Sequence, residues 1–172
     1  MMSADLRGHF LEAMSRMAAS VSVLTTDGPG GLAGITVSSM TALSADGRAP
    51  SLLVCVHHQS STASAILANR CFSANVLNDG QSAVSDRFSG RGGLKGSERF
   101  AGLATDLGAT GCPRIRDAAV TLDCRLVTAL LWETHYLFVG EVAEVVLPEP
   151  ARPALLYAAR AYRRIEGLGN VD

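Results

Sequence analysis

The chain carries few charges and no excess of either sign. There are 15 Lys and Arg against 16 Asp and Glu, 18% charged residues, and a formal net charge of −1 over 172 residues. That balance gives no electrostatic footing for nucleic acid or an anionic membrane surface, which are met by clustered Lys and Arg. No apolar run approaches the length needed to cross a bilayer. The stretch 1–16 is broken by Asp5, Arg7, His9 and Glu12 and so lacks the continuous apolar centre of a secretory leader. The four cysteines, Cys55, Cys71, Cys112 and Cys124, form no C-x-x-C pair. Cys55, Cys71 and Cys124 lie in apolar runs, where Cys packs as a small core residue. A reduced, cytoplasmic protein is the expectation. Internal repeats, low-complexity linkers and a second domain are absent too. One domain over residues 1–172 is expected, with a core at about 8–166 that needs no disulfide or metal to hold it.

Missing motifs narrow the chemistry further. A dinucleotide-binding fold would set G-x-G-x-x-G between a strand and a helix. Here the glycines of 28–34 join two strands instead, and no P-loop is present. Ser85 and Ser89 lack a G-x-S-x-G frame, which weakens a serine hydrolase reading. Cys55 sits in an apolar strand, away from the electropositive, partly exposed setting of a reactive thiolate. His57-His58 has no further ligands beside it, and neighbouring strand residues point apart, so no metal centre is expected.

What the chain does have is alternation. Leu6, Phe10, Met14 and Met17 recur at helical spacing and predict an amphipathic opening helix over 5–18. Residues 19–26 alternate as a half-buried strand does, and Asp27-Gly28-Pro29-Gly30-Gly31 makes a turn into a second strand over 32–42. The run 51–56 is apolar on both faces and predicts a central strand. Ser60, Ser61 and Thr62 are N-cap candidates for a helix reaching Asn69. A strand over 71–77, a short helix over 81–88 and a basic, glycine-rich loop over 91–96 follow. Two long strands, 119–131 and 135–147, pair as a hairpin before a last element at 155–165. Short strands at hairpin spacing with few helices predict a mainly β protein: a closed or partly closed antiparallel barrel with peripheral helices.

Candidate functional residues gather in Gly34-Ile35-Thr36-Val37-Ser38-Ser39-Met40-Thr41, where four of eight side chains are hydroxylated. A hydroxyl is costly in a core unless it finds a partner. The segment therefore either lines the phosphate or carbonyl oxygens of a polar ligand or faces water as an edge strand. His135 opens a strand after Trp132-Glu133-Thr134 and, without context, reads equally as a satisfied edge residue. Tyr157, Arg160 and Tyr162 fit an amphipathic segment with its polar tips at water.

Taken in order, several blocks resemble the flavin reductase family of FMN-binding split barrels, the small reductase components of two-component flavin monooxygenases. They are Thr25-Thr26-Asp27-Gly28, Gly34-Ile35-Thr36-Val37-Ser38-Ser39, Pro50-Ser51-Leu52-Leu53-Val54-Cys55-Val56, Ser60-Ser61-Thr62, Phe72-Ser73-Ala74-Asn75-Val76-Leu77, Asp86-Arg87-Phe88-Ser89-Gly90, Lys95-Gly96-Ser97-Glu98-Arg99-Phe100, His135-Tyr136-Leu137-Phe138-Val139-Gly140-Glu141-Val142 and Leu155-Leu156-Tyr157 to Arg160-Ala161-Tyr162. No single block is specific; their ordered sum spans nearly the whole chain.

That resemblance implies a six-stranded antiparallel split barrel that forms a homodimer, with FMN or FAD near the subunit interface and NADH or NADPH as hydride donor. It places Thr36, Val37, Ser38 and Ser39 along the isoalloxazine and ribityl chain, and backbone groups of Cys55 and Val56 at the ring's polar edge. Ser60, Ser61 and Thr62 would hold phosphate at a helix N-terminus, where free amides and the helix dipole favour an anion. Asn75, with the backbone of Ala74, would touch the ring or ribityl region, Phe88 would close one side, and Lys95 would add charge near phosphate. His135 would be the catalytic-site histidine beside the nicotinamide, with Tyr157 and Arg160 near the flavin. Arg91, Lys95 and Arg99 are candidates for selecting a 2′-phosphate. The implied reaction is hydride transfer from nicotinamide C4 to flavin N5, followed by delivery of reduced flavin to a separate monooxygenase. The cofactors carry that chemistry, so no acid–base pair is required.

One departure stands out. Relatives place glycine, then Thr or Asp, before the histidine, whereas this chain has Trp132-Glu133-Thr134-His135. The tryptophan could stack on an aromatic ligand, pack in a subunit interface or narrow access for the nicotinamide. Two rivals differ in class. One is a module that holds flavin or haem without reducing it, with His57, His58 or His135 as an axial ligand. The other is an oxidase of a pyridoxine phosphate, which would need more converging basic residues than this chain offers.

Overall fold

The alternation in the sequence becomes one strongly curved antiparallel sheet. The computed structural model describes residues 4–91 and 93–167. Its elements are α1 (Ala4–Arg16), β1 (Ala19–Ser20), β2 (Ser22–Thr26), β3 (Ala33–Val37), β4 (Thr41–Ser44), β5 (Ser51–His57), α2 (Ser61–Asn69), β6 (Cys71–Val76), α3 (Ser82–Phe88), a 3-10 turn (Gly96–Phe100), β7 (Thr105–Leu107), β8 (Pro113–Ile115), β9 (Val120–Trp132), β10 (His135–Val146), β11 (Leu156–Ala158) and β12 (Ala161–Arg163). Seven strands form the main sheet in the order β3-β2-β6-β9-β10-β5-β4. The mainly β, split-barrel architecture is as expected, with seven strands in place of six.

The extra strand comes from a break. Residues 32–42, expected as one strand, part at Ser38-Ser39-Met40 into β3 and β4, which lie on opposite edges of the sheet. Two edges joined by three residues force the sheet to curl until they meet, which gives a barrel split along a seam. Ser39 carries the β4–β5 pairing past the end of β4 with its side chain: its hydroxyl accepts the Cys55 N–H (3.1 Å) and donates to the Cys55 carbonyl (2.9 Å). A side chain here does what strand pairing does elsewhere.

Burial follows the pleat. Along β5, Leu52, Val54 and Val56 are buried while Ser51, Leu53, Cys55 and His57 are half-exposed. The strand expected to be apolar on both faces is therefore one-sided, and it lies second from the edge beside β4. β2 and β6, adjacent in the sheet, are the strands buried throughout. Leu24, Val54, Val56, Ile66, Phe72 and Phe138 fill the barrel, and Val21, Val23, Leu77, Phe88, Ile115 and Leu155 form a second cluster outside it. Replacing Phe72 by Ala would cost about 3–5 kcal/mol, since the ring is fully enclosed. Two glycines make room for such rings. A Cβ on Gly140 would stand 2.6 Å from the Phe72 ring, and one on Gly34 would stand 2.6 Å from the Phe88 ring.

The helices are where the periodicity puts them. Ser60 caps α2 by accepting the Thr62 N–H (3.2 Å), and Arg70 ends the helix in the left-handed region at φ +61°. α1 forms as well, but the side chains of its stripe, Leu6, Phe10, Met14 and Met17, stay exposed. The final element is a two-strand hairpin, β11–β12, which adds to β1 through Ala19↔Tyr157. The two residues of its turn, Ala159 and Arg160, both have positive φ (+51° and +59°), the geometry of a type I′ turn.

All four cysteines are free thiols. Burial pushes the Cys71 and Cys124 thiols up to about 12. Cys112 lies 3.2 Å from Cys71, sulfur to sulfur.

Candidate functional site

Two cavities open on either side of the short segment Thr36-Val37-Ser38. The seam cavity, about 310 Å³, is walled by β3 and its exit (Ile35 to Ser39), by the end of β5 (Cys55, Val56, His57) and by His135 at the start of β10. The second, about 190 Å³, lies between Thr36-Val37-Ser38, the α3 exit (Ser85, Ser89, Arg91) and the C-terminal hairpin (Tyr157, Tyr162), with Val21 at its base. The hydroxyl-rich segment picked out by sequence is thus the partition between them. Ile35, Val37 and Val56 give the seam cavity apolar walls, while Ser38, Ser39 and the imidazoles of His57 and His135 give it polar edges. An apolar slot with a few polar groups on its rim suits a planar heteroaromatic ligand.

Imidazoles dominate one end of the seam cavity. His57 and His135 are directly opposite on β5 and β10, their rings edge to face at 5.1 Å. His58 stacks on His57 at 5.0 Å. The Gln59 N–H donates to His57 Nδ1 (3.2 Å), which leaves Nε2 as the hydrogen-bearing nitrogen of the neutral ring. Thr134 Oγ1 lies 2.9 Å from His135 Nδ1 and holds that ring in turn.

The second cavity has a polar wall that is already organised. The Tyr162 hydroxyl donates to Asp86 Oδ1 (2.7 Å) and lies 2.9 Å from the Ser85 hydroxyl. Burial raises the Tyr162 phenol above its ordinary range, and the Asp86 carboxylate adds to the shift. Arg91 pairs with Asp86 at 3.0 Å. Tyr157 and Tyr162 meet edge to face at 5.6 Å. Thr36 is committed within the partition, donating to the Ser85 carbonyl (2.7 Å).

Of the residues named from sequence, Thr36, Val37, Ser38, Ser39, Cys55, Val56, His135 and Tyr157 line one or both cavities. The Cys55 N–H is already given to Ser39, so Cys55 offers no free backbone donor to a ligand edge. Ser60 and Ser61 stand at the N-terminus of α2, one turn past His57, whose carbonyl accepts the Ser60 N–H. Thr62 is buried, and its N–H is spent on the cap.

Five assignments are placed elsewhere. Ala74 is sealed in the barrel core. Asn75 is fully buried, with Nδ2 donating to the Val23 carbonyl (3.0 Å) and the Thr25 hydroxyl (3.1 Å) and Oδ1 accepting the Ile115 N–H (2.8 Å). It ties β6 to β2 and to β8 and reaches neither cavity. Phe88 packs in the second cluster, edge to face with Phe100 at 5.0 Å, so it supports the partition from behind. Lys95 is exposed at the start of the 3-10 turn, with its N–H on Glu98. Arg160 points away to Glu12 (2.9 Å).

Arg99, a candidate for 2′-phosphate, spends its guanidinium on the carbonyls of Gly34 (3.0 Å) and Phe88 (3.1 Å) and so pins the basic loop to β3. Ser85, Ser89 and Tyr162 were not assigned a ligand from sequence, yet they line the second cavity, together with the 2′-phosphate candidate Arg91. Their separation along the chain hid them: Tyr162 reaches the α3 exit only through the pairing Tyr157↔Tyr162 of the β11–β12 hairpin. Among the described residues no cluster of three or more His, Cys, Asp or Glu is placed to hold a metal, and no helix is long and apolar enough to cross a membrane.

Comparison with known proteins places the same blocks in a family. Residues 14–166 match the model of the flavin reductase like domain. The chain is 39% identical over 162 residues to the FMN reductase (NADH) RutF of Ancylobacter novellus, covering 94% of this chain and 86% of that protein. Among solved structures it is similar to nitrilotriacetate monooxygenase component B from Mycobacterium thermoresistibile, with 28% identity, a TM-score of 0.85, and 98% and 92% of the two chains covered. It is also similar to BorF, the flavin reductase component of a bacterial two-component tryptophan halogenase, with 28% identity, a TM-score of 0.82, and coverage of 97% and 100%.

Proposed function

The chain belongs to the flavin reductase like family, and from that premise we propose that it is an NADH-dependent flavin reductase that reduces FMN and releases it to a partner monooxygenase. The observation that carries this reading is the seam cavity, whose apolar walls and hydroxyl and imidazole rim fit a flavin ring and lie where the family's blocks converge. Activity names among relatives support FMN and NADH, and the component names among structural neighbours support an oxygenase or halogenase partner.

FMN, when bound, supplies the N5 that accepts a hydride from the nicotinamide. The protein's own residues bind, orient and exclude water. Ile35, Val37 and Val56 give the ring an apolar bed, and Ser38 and Ser39 stand at its polar edges. Ser60 and Ser61 offer the α2 N-terminus to the phosphate, where helix amides favour an anion. His135 stands at the open end, held by Thr134 against the side where a second ring would approach. Holding two rings at contact distance supplies much of the rate through orientation.

What supports a homodimer is apolar surface that the chain leaves exposed on α1. Phe10 is 58% and Met14 47% exposed, and Met17, just past the end of the helix, is 61% exposed. What supports a cytoplasmic setting is that all four cysteines are free thiols.

The test is direct. Purified protein is mixed with NADH and with FMN, FAD or riboflavin under air, and absorbance at the nicotinamide band is followed. Rapid oxidation that depends on added flavin is expected, with FMN preferred. Tight flavin binding without turnover by NADH or NADPH would replace the reductase by a flavin-holding module, and a Soret band on adding haemin would point to haem instead.

A further inference from the structure

We propose that Trp132, at the tip of the β9–β10 hairpin, is the platform on which the nicotinamide of the donor stacks, and so sets the protein's affinity for NADH. This rests on the reductase reading and adds to it a residue that the family's blocks leave unassigned.

The argument starts from register. Trp132 is directly opposite His135 on β10, and His135 is directly opposite His57 on β5. Directly opposed residues of an antiparallel sheet share a face, with Cβ atoms about 4.5–5.5 Å apart. Trp132, His135 and His57 therefore form a row across three strands. The face is fixed by the neighbouring row, in which Val56 is buried and Tyr136 packs against the barrel core. By alternation the Trp132 row is on the outer face. Two of its three members, His135 and His57, line the seam cavity, and Trp132 is the next position of the row, one strand beyond that lining.

The tip is held in place. Only Glu133 and Thr134 separate the two strands, and Glu133 adopts the left-handed region at φ +49°. The Thr134 carbonyl accepts the His58 N–H (2.9 Å), which fastens the turn to the loop after β5. Trp132 is nevertheless 68% exposed. A large flat apolar ring, fixed beside a cavity mouth and unburied, lacks a partner of its own shape. A nicotinamide is a planar, electron-poor heterocycle, and stacking on an electron-rich indole suits it. A flavin seated in the slot leaves the outer end of the row as the approach for that second ring.

Trp132 is the one tryptophan of the chain, so its emission reports on this site alone. The experiment has two arms on the flavin-loaded protein. In the first, Trp132→Ala and Trp132→Phe are compared with the unmodified protein. Trp132→Ala should raise KM for NADH about tenfold, a loss typical of one aromatic stacking partner, while FMN affinity, read from quenching of flavin emission, changes by less than about twofold. Trp132→Phe should recover most of the loss. In the second arm, saturating NAD+ should lower the acrylamide quenching constant of Trp132 emission about twofold, and AMP should not.

Normal turnover with an unchanged KM in Trp132→Ala would overturn the proposal, as would a quenching constant indifferent to NAD+. A Trp132 already shielded from acrylamide before any ligand is added would place it in a subunit interface and overturn the proposal as well. Absence of NADH oxidation by the unmodified protein would instead overturn the reductase reading, and this proposal with it.

Discussion

Asn75 tests whether geometry or family position decides a residue's role. Family position puts it against the flavin; the structure puts it in the core, where it joins β6 to β2 and β8. Its Oδ1 accepts the Ile115 N–H at 2.8 Å, and Ile115 is only 2% exposed. Asn75→Ala leaves that N–H with neither protein nor water as partner, which costs about 1–3 kcal/mol. The Val23 carbonyl loses the Nδ2 donor at 3.0 Å as well, and the Thr25 hydroxyl loses it at 3.1 Å. Thr25 keeps its own bond to the Pro113 carbonyl, so the second loss is the smaller. The sum is about 2–4 kcal/mol, a large share of the roughly 5–15 kcal/mol that holds a domain together. Urea unfolding should show a lower midpoint, with the free energy of unfolding reduced by that amount. FMN affinity, measured where the variant is still folded, should match the unmodified protein within about threefold. Asn75→Leu should be worse than Ala, because its branched end fills the space without pairing any of the same groups. An unchanged midpoint with a tenfold loss of FMN affinity would refute this and return Asn75 to the ligand site.

Three further outcomes are expected. Ser39→Ala removes both bonds that tie the segment after β3 to β5, so stability should fall by about 1–2 kcal/mol and FMN affinity about fivefold in a quenching titration; unaltered affinity would take the seam cavity out of flavin binding. Replacing Ala159-Arg160 by Asn-Gly relieves two left-handed residues that cost about 1–2 kcal/mol each and gives up only the exposed Arg160–Glu12 pair, worth about 0–1 kcal/mol. The denaturation midpoint should rise with flavin affinity unchanged, and loss of affinity would restore Arg160 to the site. Finally, Cys71 and Cys124 keep their protons in the fold up to about pH 12, whereas the unfolded chain releases them near its ordinary value of 9.0. The folded chain then binds more protons than the unfolded one, so stability is full below about pH 9 and falls as pH rises toward 12. Cys71→Ala with Cys124→Ala should flatten that alkaline fall in Tm; an unchanged slope would mean the two thiols do not differ between states.

The elements legible in the sequence are those whose signal is local. α1 shows in the spacing of Leu6, Phe10, Met14 and Met17, α2 in its cap at Ser60, and the β9–β10 hairpin in two long runs closed by Glu133-Thr134. The split between β3 and β4 was not legible, because Thr, Val and Ser over 36–41 keep the composition of a continuous strand. What breaks it is Ser39 bonding to Cys55, sixteen residues away. β7 and β8 escaped because three residues each are too few to show a period of two. The C-terminal hairpin escaped for a different reason. Its turn residues, Ala159 and Arg160, are not those that favour positive φ, so nothing local announces the reversal.

The same division explains the site. A family block records that a residue type belongs at a position, not whether its side chain faces a ligand or the core. Asn75 and Ser39 are both polar residues within such blocks, and they part because of distant partners: Ile115, forty residues on, takes Asn75 inward, while Cys55 holds Ser39 at the rim. Phe88 and Arg99 divide from their neighbours in the same way. One fills the space that Gly34 vacates and the other binds the Gly34 carbonyl, so both fix the partition without facing a ligand. The hydroxyls of 36–39 can then be sorted by what already holds them. Thr36 is spent on Ser85 and Ser39 on Cys55, which leaves Ser38, exposed at the lip shared by both cavities, as the hydroxyl of the segment best able to meet a ligand without loosening the barrel.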